Sequence, residues 1–370
     1  PTRELAIQVA AALETFATGL KGLNVVPIYG GGGYRDQLKA LKNGAQVIVG
    51  TPGRVMDHME RGSLRMDELR CLVLDEADEM LRMGFIDDVR WVLERTPDTC
   101  QLALFSATMP RPIERLAERY QRNALRLSLA GETRGHGDIT YQGITVGPSE
   151  IENAVVNLLR FHEAETAILF CATRDNVRHL HSSLTERGFA AVALSGEHSQ
   201  NERNHALQAL RDKRARVCVA TDVAARGIDL PTLSLVIHVE IPRDAETLQH
   251  RSGRTGRAGK KGTAALVVPY NRRRRVEGML RGAQIEAQWI DAPTPEAIRA
   301  KDRTRLIERL TEPREFEEYD RELAADLMAR MTPEDIAATL VQTQRAEMPA
   351  PEELIANTPE AREQAKAERH

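Results

Sequence analysis

The sequence predicts an α/β protein made of two units with parallel sheets, followed by a small all-α region. Three observations support this. Short apolar runs alternate with helix-compatible stretches, a polar stretch with glycines at 131–138 interrupts the alternation, and no strand-like run follows residue 291. Strands that alternate with helices are typical of parallel sheets with crossover helices. The length of 370 residues also exceeds what one ordinary domain holds.

The first predicted unit covers residues 1–130. Its expected strands are 25–29, 46–50, 71–74, 102–105 and 125–129, and its expected helices are 5–16, 34–42, 54–61, 85–94 and 112–120. Each apolar run is too short for a core helix but long enough for a strand. We therefore expect a first α/β unit.

Residues 131–138 are interpreted as a linker, because polar residues and glycine dominate this stretch. The second predicted unit covers residues 139–290. Its expected strands are 139–145, 167–171, 190–194, 217–220, 235–239 and 262–268, and its expected helices are 150–162, 174–187, 200–213 and 245–250. The alternation again favours a parallel sheet.

Residues 291–345 are expected to be helical, and residues 346–370 to form a flexible tail. Apolar residues recur there at helical spacing between Pro293, Pro313, Pro333 and Pro349, which predicts three short amphipathic helices. Such a region owns little apolar area of its own. Docking or self-association into a homodimer is therefore a hypothesis.

Composition excludes several classes of protein. No apolar run approaches the roughly 18 residues of a membrane span, so no membrane association is expected. The four cysteines have no CxxC spacing, which argues against a metal site or a disulfide framework and is typical of a cytoplasmic protein. Cys71, Cys171 and Cys218 lie in apolar runs and are expected to be buried.

Charge is unevenly distributed, although the net charge is only −3. Residues 250–281 hold ten Arg or Lys against one acid, Glu277, whereas residues 291–370 hold 19 acids against 12 bases. A basic block of this kind indicates a surface that binds a polyanion. The alternative is a solvated basic face without a ligand.

Two carboxylates, Asp75 and Glu76, follow the apolar strand at 71–74. Ligands bind at the carboxyl ends of strands in open α/β sheets, and such acids can hold Mg²⁺ and orient an attacking water beside phosphates. The alternative is an ordinary helix start. Ser106 and Thr108 follow the next strand and could project hydroxyl groups onto the same edge as Asp78.

Three arginines, at 251, 254 and 257, are interleaved with glycines in the octet His250–Arg257. The planar guanidinium group matches phosphate oxygens, so this pattern favours stabilisation of a transferring phosphoryl group. Upstream, Thr221 ends a strand, and the exposed amides of the helix start after it suit a phosphate backbone, while Asp229 could accept from a ribose hydroxyl. Thr2, Arg3, the glycine run at 30–33 and the segment 51–54 form similar loops, each only a turn by itself.

In order, these motifs resemble the DEAD-box family of ATP-dependent RNA helicases, whose two RecA-like lobes close around ATP and single-stranded RNA. The resemblance covers about 290 residues and rests on at least eight ordered motifs: 1–5, 30–33, 51–54, Asp75 to Asp78, 106–108, 168–173, 219–229 and 250–257. It implies RNA-stimulated ATP hydrolysis coupled to local unwinding of RNA duplexes, with ATP and Mg²⁺ as cofactors.

The resemblance also implies a role for each matching residue. Asp75 would act on Mg²⁺ and Glu76 on the attacking water, and Arg254 and Arg257 would be arginine fingers. Asp78, Ser106, Thr108 and His250 would couple the lobes, and Asp229 with Gly227 would contact the nucleotide. The expected contacts to the RNA backbone are Thr2, Arg3, Gly32, Gly33, Thr51, Arg54, Gln200, Arg203, Thr221 and Arg226.

One departure from the family pattern concerns the phosphate-binding loop, because no G-x-x-x-x-G-K-[ST] occurs in the sequence. In the family this loop precedes the segment that matches Pro1, so we expect a fragment of a longer protein with little ATPase activity alone. A non-catalytic RNA-binding module and a DNA-directed motor remain alternatives.

Residues 293–303 and the acidic helices after them are similar to the region that follows the motor in bacterial cold-shock DEAD-box helicases. There it serves as a dimerisation module. Ribosome biogenesis is a further expectation of this resemblance.

Overall fold

The computed structural model describes residues 1–20, 22–127, 138–225, 228, 230, 232–256, 259–346 and 348–354. The described residues fall into two compact units. Unit 1 comprises those within Pro1–Leu129 together with Ile228, and unit 2 those within Ala130–Ala225 and Asp229–His370. Most of the predicted linker lies outside the described residues. In the described part of the chain, no helix combines the length and apolar character needed to cross a lipid bilayer.

Unit 1 alternates helices and short strands along the chain. Its elements are α1 (Arg3–Phe16), β1 (Val25–Ile28), α2 (Tyr34–Lys42), β2 (Val47–Gly50), α3 (Pro52–Glu60), β3 (Cys71–Leu74), α4 (Ala77–Arg82), α5 (Ile86–Leu93), β4 (Gln101–Leu104) and α6 (Arg111–Tyr120). Strand β1 pairs in parallel with β2, and β3 with β4, as two separate two-stranded sheets.

The strand predicted at 125–129 is wrong over residues 125–127, which are irregular. Leu125 and Leu127 are each 82% exposed, so neither packs into a core that would hold a strand there. Residues 128 and 129 lie outside the described part of the chain.

Unit 2 is built on one seven-stranded parallel sheet. Its elements are β5 (Ile139–Val146), α7 (Ile151–His162), β6 (Thr166–Cys171), α8 (Arg174–Glu186), β7 (Ala191–Leu194), α9 (Gln200–Arg211), β8 (Val217–Thr221), α10 (Asp222–Ala225), β9 (Leu233–His238), α11 (Ala245–Ser252), β10 (Gly262–Pro269), a 3₁₀ turn (Tyr270–Arg272), α12 (Arg273–Gly282) and β11 (Ala287–Asp291). The strand order is β11-β5-β10-β9-β6-β8-β7. The expected α/β fold class with parallel sheets is confirmed.

Apolar side chains cover both faces of the unit 2 sheet. On one face Leu158 of α7 and Leu184 of α8 pack with Leu169 and Ile237 of the sheet. On the other face α11 and α12 pack on β5 and β10. Strand β6 is buried at all six positions, which explains why parallel strands are recognised as continuous apolar runs.

Strand β11 and helix α12 were not predicted from the sequence. Strand β11 forms the edge of the sheet and is mostly half-exposed or exposed, so it lacks the apolar run of a central strand. It is held by Trp289, whose ring packs on Gly143 of β5 so closely that a Cβ there would lie 2.6 Å from Trp289 Cε3. Only a glycine permits this contact.

The C-terminal region contains the three expected helices, α13 (Pro295–Thr311), α14 (Glu318–Arg330) and α15 (Pro333–Ala346). Helix α13 packs against α7. Residues 348–354 return to the same helix, where the buried Asn157 side chain donates to the carbonyl of Glu352 at 2.8 Å and accepts from its N–H at 2.8 Å. Helices α14 and α15 bury none of their side chains.

The cysteine predictions are confirmed for two of the three residues. Cys171 and Cys218 are buried, and this burial raises the pKa of each thiol to about 12. The prediction for Cys71 is wrong, because this residue is exposed. It lies at the start of β3, where successive side chains alternate between an exposed and a more covered face.

Candidate functional site

The two carboxylates predicted from the sequence lie at the turn from β3 into α4. Glu76 adopts a left-handed conformation, with φ 51° and ψ 51°. The Glu76 N–H donates to Asp75 Oδ1 at 2.9 Å, which supports the turn. A non-glycine residue in this region costs on the order of 1 kcal/mol or more and persists only where its surroundings fix it, often at a functional site.

The surroundings that fix this turn are centred on Asp78, which is 2% exposed. Its Oδ2 accepts from the Thr108 hydroxyl at 2.9 Å and from the Thr108 N–H at 3.1 Å. Ser106 Oγ accepts from the Asp78 N–H at 3.1 Å and donates to the Thr108 carbonyl at 2.6 Å. The structure therefore brings together the three side chains that the sequence placed at neighbouring strand ends.

A second buried acid, Glu79, was missed by sequence reasoning. Arg82 Nη2 lies 2.8 Å from Glu79 Oε1 and 3.7 Å from Asp78 Oδ2, so one guanidinium group partly offsets both charges. Asp75 stays exposed at the same turn. An exposed carboxylate is the kind of hard oxygen donor that Mg²⁺ prefers, so Asp75 fits a magnesium ligand.

A second constellation in unit 1 gathers helix N-termini at the carboxyl ends of β1 and β2. Thr2 caps α1, Gly33 precedes α2 and Thr51 precedes α3. The Thr2 hydroxyl accepts from the Leu5 N–H, whereas the Thr51 side chain makes no capping bond to α3. Helix N-termini carry partial positive charge and free N–H groups, which makes them natural sites for phosphate.

Arg3 and the glycine run belong to this constellation. Arg3 Nη1 donates to the Gly31 carbonyl at 3.2 Å, and its guanidinium group lies 4.6 Å from the centroid of the Tyr29 ring. Gly31 has φ +75°, and a Cβ on Gly32 would lie 2.8 Å from Tyr29 Cε2. Glycine is therefore required for this loop to reach its position beside Arg3.

Arg54 is oriented by aromatic and buried polar residues that the sequence did not reveal. Its guanidinium group lies 5.3 Å from the Tyr34 ring centroid, and Tyr34 stacks on His58 at 4.8 Å. His58 Nε2 lies 3.1 Å from Gln37 Oε1, and Nδ1 lies 2.8 Å from Ser63 Oγ. Burial lowers the pKa of His58, and the neighbouring Arg54 adds to this effect. A lone histidine in a helix gave no signal of this network.

In unit 2 the octet beginning at His250 ends α11 and continues into the following turn. Arg251 is 4% exposed, and its Nη2 lies 2.8 Å from Asp222 Oδ2 while Nε lies 2.5 Å from Oδ1. It also donates to the Glu240 carbonyl at 2.9 Å. Arg251 thus ties α11 to Asp222, which directly follows β8. The neighbouring Arg254 is half-buried.

Packing explains why the octet contains small residues. The Thr255 hydroxyl is buried and donates to the Leu233 carbonyl at 2.7 Å. Gly256 has φ +66°, and a Cβ there would lie 2.5 Å from Ile139 Cγ1. The turn that carries Arg254 is therefore fixed against the sheet. Arg257 lies outside the described residues.

The remaining predicted contacts of unit 2 are distributed around the same sheet. Thr221 ends β8 and is buried, Arg203 lies on α9 and is half-buried, and Gln200 begins α9, although its side chain lies outside the described atoms. His250 is half-buried on α11. Arg226, Gly227 and Asp229 lie outside the described residues.

Comparison with known proteins identifies the family. The model of the DEAD/DEAH box helicase family matches residues 1–116, and that of the helicase conserved C-terminal domain matches residues 150–259. The chain belongs to the DEAD/DEAH box helicase family. The motifs quoted from the sequence fall largely within these two matched segments, so the expected family is confirmed.

Curated relatives carry the name ATP-dependent RNA helicase DeaD. The relative from Haemophilus influenzae is 41% identical over 345 residues, which cover 92% of this chain and 56% of that protein. The relative from Mycobacterium tuberculosis is 40% identical over 335 residues, which cover 87% of this chain and 59% of that one. The chain spans about half the length of the curated relatives it matches.

Solved structures of this helicase family share the fold. Dbp5 of S. cerevisiae bound to RNA and ADP BeF3 is 28% identical, with a TM-score of 0.70, and the match covers 84% of this chain and 80% of that one. Mss116 bound to ssRNA and UDP-BeF is 26% identical, also with a TM-score of 0.70, over 81% and 65% of the two chains. The expected RecA-like architecture is confirmed.

Proposed function

We propose that this chain is the motor part of an ATP-dependent RNA helicase, in which RNA-stimulated ATP hydrolysis drives local unwinding of RNA duplexes. The observation that carries the proposal is the buried network of Asp78, Ser106 and Thr108, which holds the left-handed turn at Asp75 and Glu76. The names of the curated relatives support the activity. The Dbp5 structure, which is bound to RNA and ADP BeF3, supports the proposal that RNA and a nucleotide are the ligands.

In this proposal Asp75 holds Mg²⁺, and Glu76 orients and deprotonates the attacking water. Mg²⁺ would supply charge neutralisation at the phosphates of ATP. Arg254 and Arg257 stabilise the charge that develops on the transferring phosphoryl group, and Asp229 with Gly227 contacts the nucleotide. Asp78, Ser106, Thr108 and His250 couple hydrolysis to movement of the lobes.

RNA is proposed to bind through its sugar–phosphate backbone, with little preference for sequence. The three helix N-termini of unit 1 and the cations Arg3 and Arg54 beside them support this assignment. The full set of proposed contacts is Thr2, Arg3, Gly32, Gly33, Thr51, Arg54, Gln200, Arg203, Thr221 and Arg226.

The decisive experiment places Glu76→Gln in the complete natural gene product that contains these residues. This change keeps the shape of the side chain but removes the base, so we expect ATP turnover to fall by about 100-fold or more while RNA binding in the presence of ATP is retained. The matched control is Asp87→Asn, which changes an 81% exposed acid of α5 and should leave turnover unchanged. Unchanged turnover in Glu76→Gln would refute the assignment.

A second candidate function is a non-catalytic RNA-binding module. It is favoured by the absence of a G-x-x-x-x-G-K-[ST] loop from the 370 residues, which also leads us to propose little ATPase activity for this chain by itself. The two functions differ in the complete gene product, since only a helicase would turn over ATP faster when RNA is added. Replacing the RNA with DNA of the same sequence tests whether the 2′-hydroxyl is recognised.

Self-association through the C-terminal helices is also proposed. Helix α14 exposes Tyr319, Leu323, Leu327 and Met328, which α14 and α15 of a second copy of the chain would cover. Light scattering would contradict this if the mass stayed that of a monomer at every protein concentration. Residence in the cytoplasm and participation in ribosome biogenesis are proposed from the family resemblance alone.

A further inference from the structure

Helix α12 and the 3₁₀ turn before it carry a strongly basic surface that none of the helicase motifs includes. Five arginines stand there against one acid, Glu277, and all five are exposed; they are Arg272, Arg273, Arg274, Arg275 and Arg281. Arg273 is engaged, because its Nε lies 2.9 Å from Glu277 Oε1 and its guanidinium group lies 4.4 Å from the Trp289 ring centroid. Among the described residues, the other four form no ion pair. Arg272, Arg274, Arg275 and Arg281 are called the α12 basic surface below.

The local sequence is unfavourable for forming the helix that carries this surface. Acidic residues are favourable at the amino end of a helix, yet α12 begins with three arginines and has no acid in its first turn. Gly278 lies in the middle of the helix, where glycine is unfavourable. Two breaches of local helix preference in one short element are typical of a functional site rather than of a structural one.

The packing of α12 turns these residues towards solvent. Val276 and Leu280 are buried in the core against the sheet. Arg274, Gly278 and Arg281 lie on the opposite side of the helix, at spacings of four and three residues. Apart from the adjoining residues and the helix's own backbone, the nearest atom to a Cβ built on Gly278 is Arg281 Nη2, at 4.0 Å. The glycine therefore leaves a bare backbone position flanked by guanidinium groups, which a phosphate group can approach closely.

The position of α12 in the fold relates this surface to the proposed RNA contacts of unit 2. The 3₁₀ turn follows the carboxyl end of β10, and the carboxyl ends of β6 and β8 lie on the same edge because all these strands are parallel. Only β9 separates β10 from β6, so neighbouring-strand spacing puts β10 about 10 Å from β6 and about 14 Å from β8. An RNA strand that contacts Thr221 at the end of β8 and continues along this edge meets Arg272 first, and Arg274, Arg275 and Arg281 follow along α12.

We infer that the α12 basic surface is a second RNA-binding surface, which holds the phosphates of RNA that flanks the segment bound by the motor. The inference rests on the proposed RNA binding and extends it to residues outside the motifs. Recognition is electrostatic, so it adds affinity for longer RNA without adding sequence preference. The inference gives a function to part of the basic block between residues 250 and 281.

The test compares the 370-residue chain with its Arg274→Gln/Arg275→Gln/Arg281→Gln variant on two single-stranded RNAs, of about 10 and about 30 nucleotides. We expect about a tenfold loss of affinity for the longer RNA and less than a twofold change for the shorter one. The slope of log K against log salt should fall by about 2 for the longer RNA, since each lost phosphate contact on a single strand contributes about 0.7. The corresponding triple Arg→Lys variant should retain most of the slope.

The control is Arg299→Gln/Arg303→Gln/Arg321→Gln, which removes the same charge from exposed positions of α13 and α14. Wild-type affinity of the α12 variant for the longer RNA would overturn the inference, and so would an equal loss on both RNAs or an equal loss in the control. Circular dichroism verifies folding. If the triple Arg→Gln variant is unstable, the single variant Arg274→Gln should still lower the slope for the longer RNA by about 0.7, and an unchanged slope would overturn the inference. The proposed RNA contacts of the motor are tested separately with Arg203→Gln, which should weaken binding of the shorter RNA. Unchanged binding would count against those contacts and not against the α12 basic surface.

Discussion

The strands of the two units differ in how they are covered. In unit 2, β6 and β8 are buried at every position, with apolar helices on both faces of the sheet. In unit 1, two of the four positions of β3 are exposed, including Val73 at 53%, and Phe105 after β4 is 58% exposed. Parallel strands are normally covered on both faces, so the β3–β4 pair departs from this rule.

This difference teaches that the two functional turns differ in how much apolar packing lies behind their hydrogen bonds. The arginine turn of unit 2 lies against the continuous apolar core of its sheet, and Asp222 and the Glu240 carbonyl hold Arg251 beside it. The carboxylate turn of unit 1 is held by hydrogen bonds around Asp78, beside a smaller apolar cluster that includes Leu74 and Met80. Hydrogen bonds are directional, and they position a loop precisely even where the apolar area is small.

The largest expected effect comes from breaking the Arg251–Asp222 pair. Asp222→Ala leaves a guanidinium group that is 5% exposed without its carboxylate, so the free energy of unfolding of unit 2 should fall by about 3 kcal/mol. Urea denaturation followed by circular dichroism measures this loss.

The control for this variant is Glu197→Ala, which removes the exposed partner of Arg178 and should cost at most about 0.5 kcal/mol. A similar cost for both variants would show that the buried pair contributes no more than an exposed one. The core of unit 2 would then hold the arginine turn without it.

A second prediction compares the backbone amides of the two units. We expect amides of the β3–β4 pair to exchange with solvent at least about 100 times faster than those of β6 and β8, because fewer buried apolar contacts oppose local opening in unit 1. Hydrogen exchange followed by mass spectrometry resolves these segments. Equal protection would mean that the exposed strand faces do not weaken unit 1.

The smallest expected effect concerns two threonines that precede helices. Thr173→Ala in unit 2 should cost about 1 kcal/mol, because its hydroxyl accepts from the Asn176 N–H at 3.1 Å and caps α8. Thr51→Ala in unit 1 should cost less than about 0.5 kcal/mol, because this side chain makes no capping bond.

Thermal unfolding measures both threonine variants, and RNA binding separates them further. Only Thr51→Ala should weaken RNA binding, since its hydroxyl is proposed to face the ligand. A large loss of stability in Thr51→Ala, with RNA affinity unchanged, would assign this residue to the fold instead.

The sequence by itself determined the alternation of strands and helices, the parallel sheets and the family. Continuous apolar runs such as 167–171 and 217–220 identify buried strands without any tertiary information. The polar residues at strand ends, Asp75, Asp78, Ser106 and Thr108, could be placed at one edge because parallel strands end on the same side.

Only the tertiary structure decided which partners surround these residues. The His58–Gln37 contact joins positions 21 residues apart, and the Arg251–Asp222 pair joins positions 29 apart, and neither separation leaves a periodic signal in the sequence. Strand β11 and the exposure of Cys71 were missed for the same reason. Whether a half-apolar segment is covered depends on neighbours that are distant along the chain, and local composition carries no record of them.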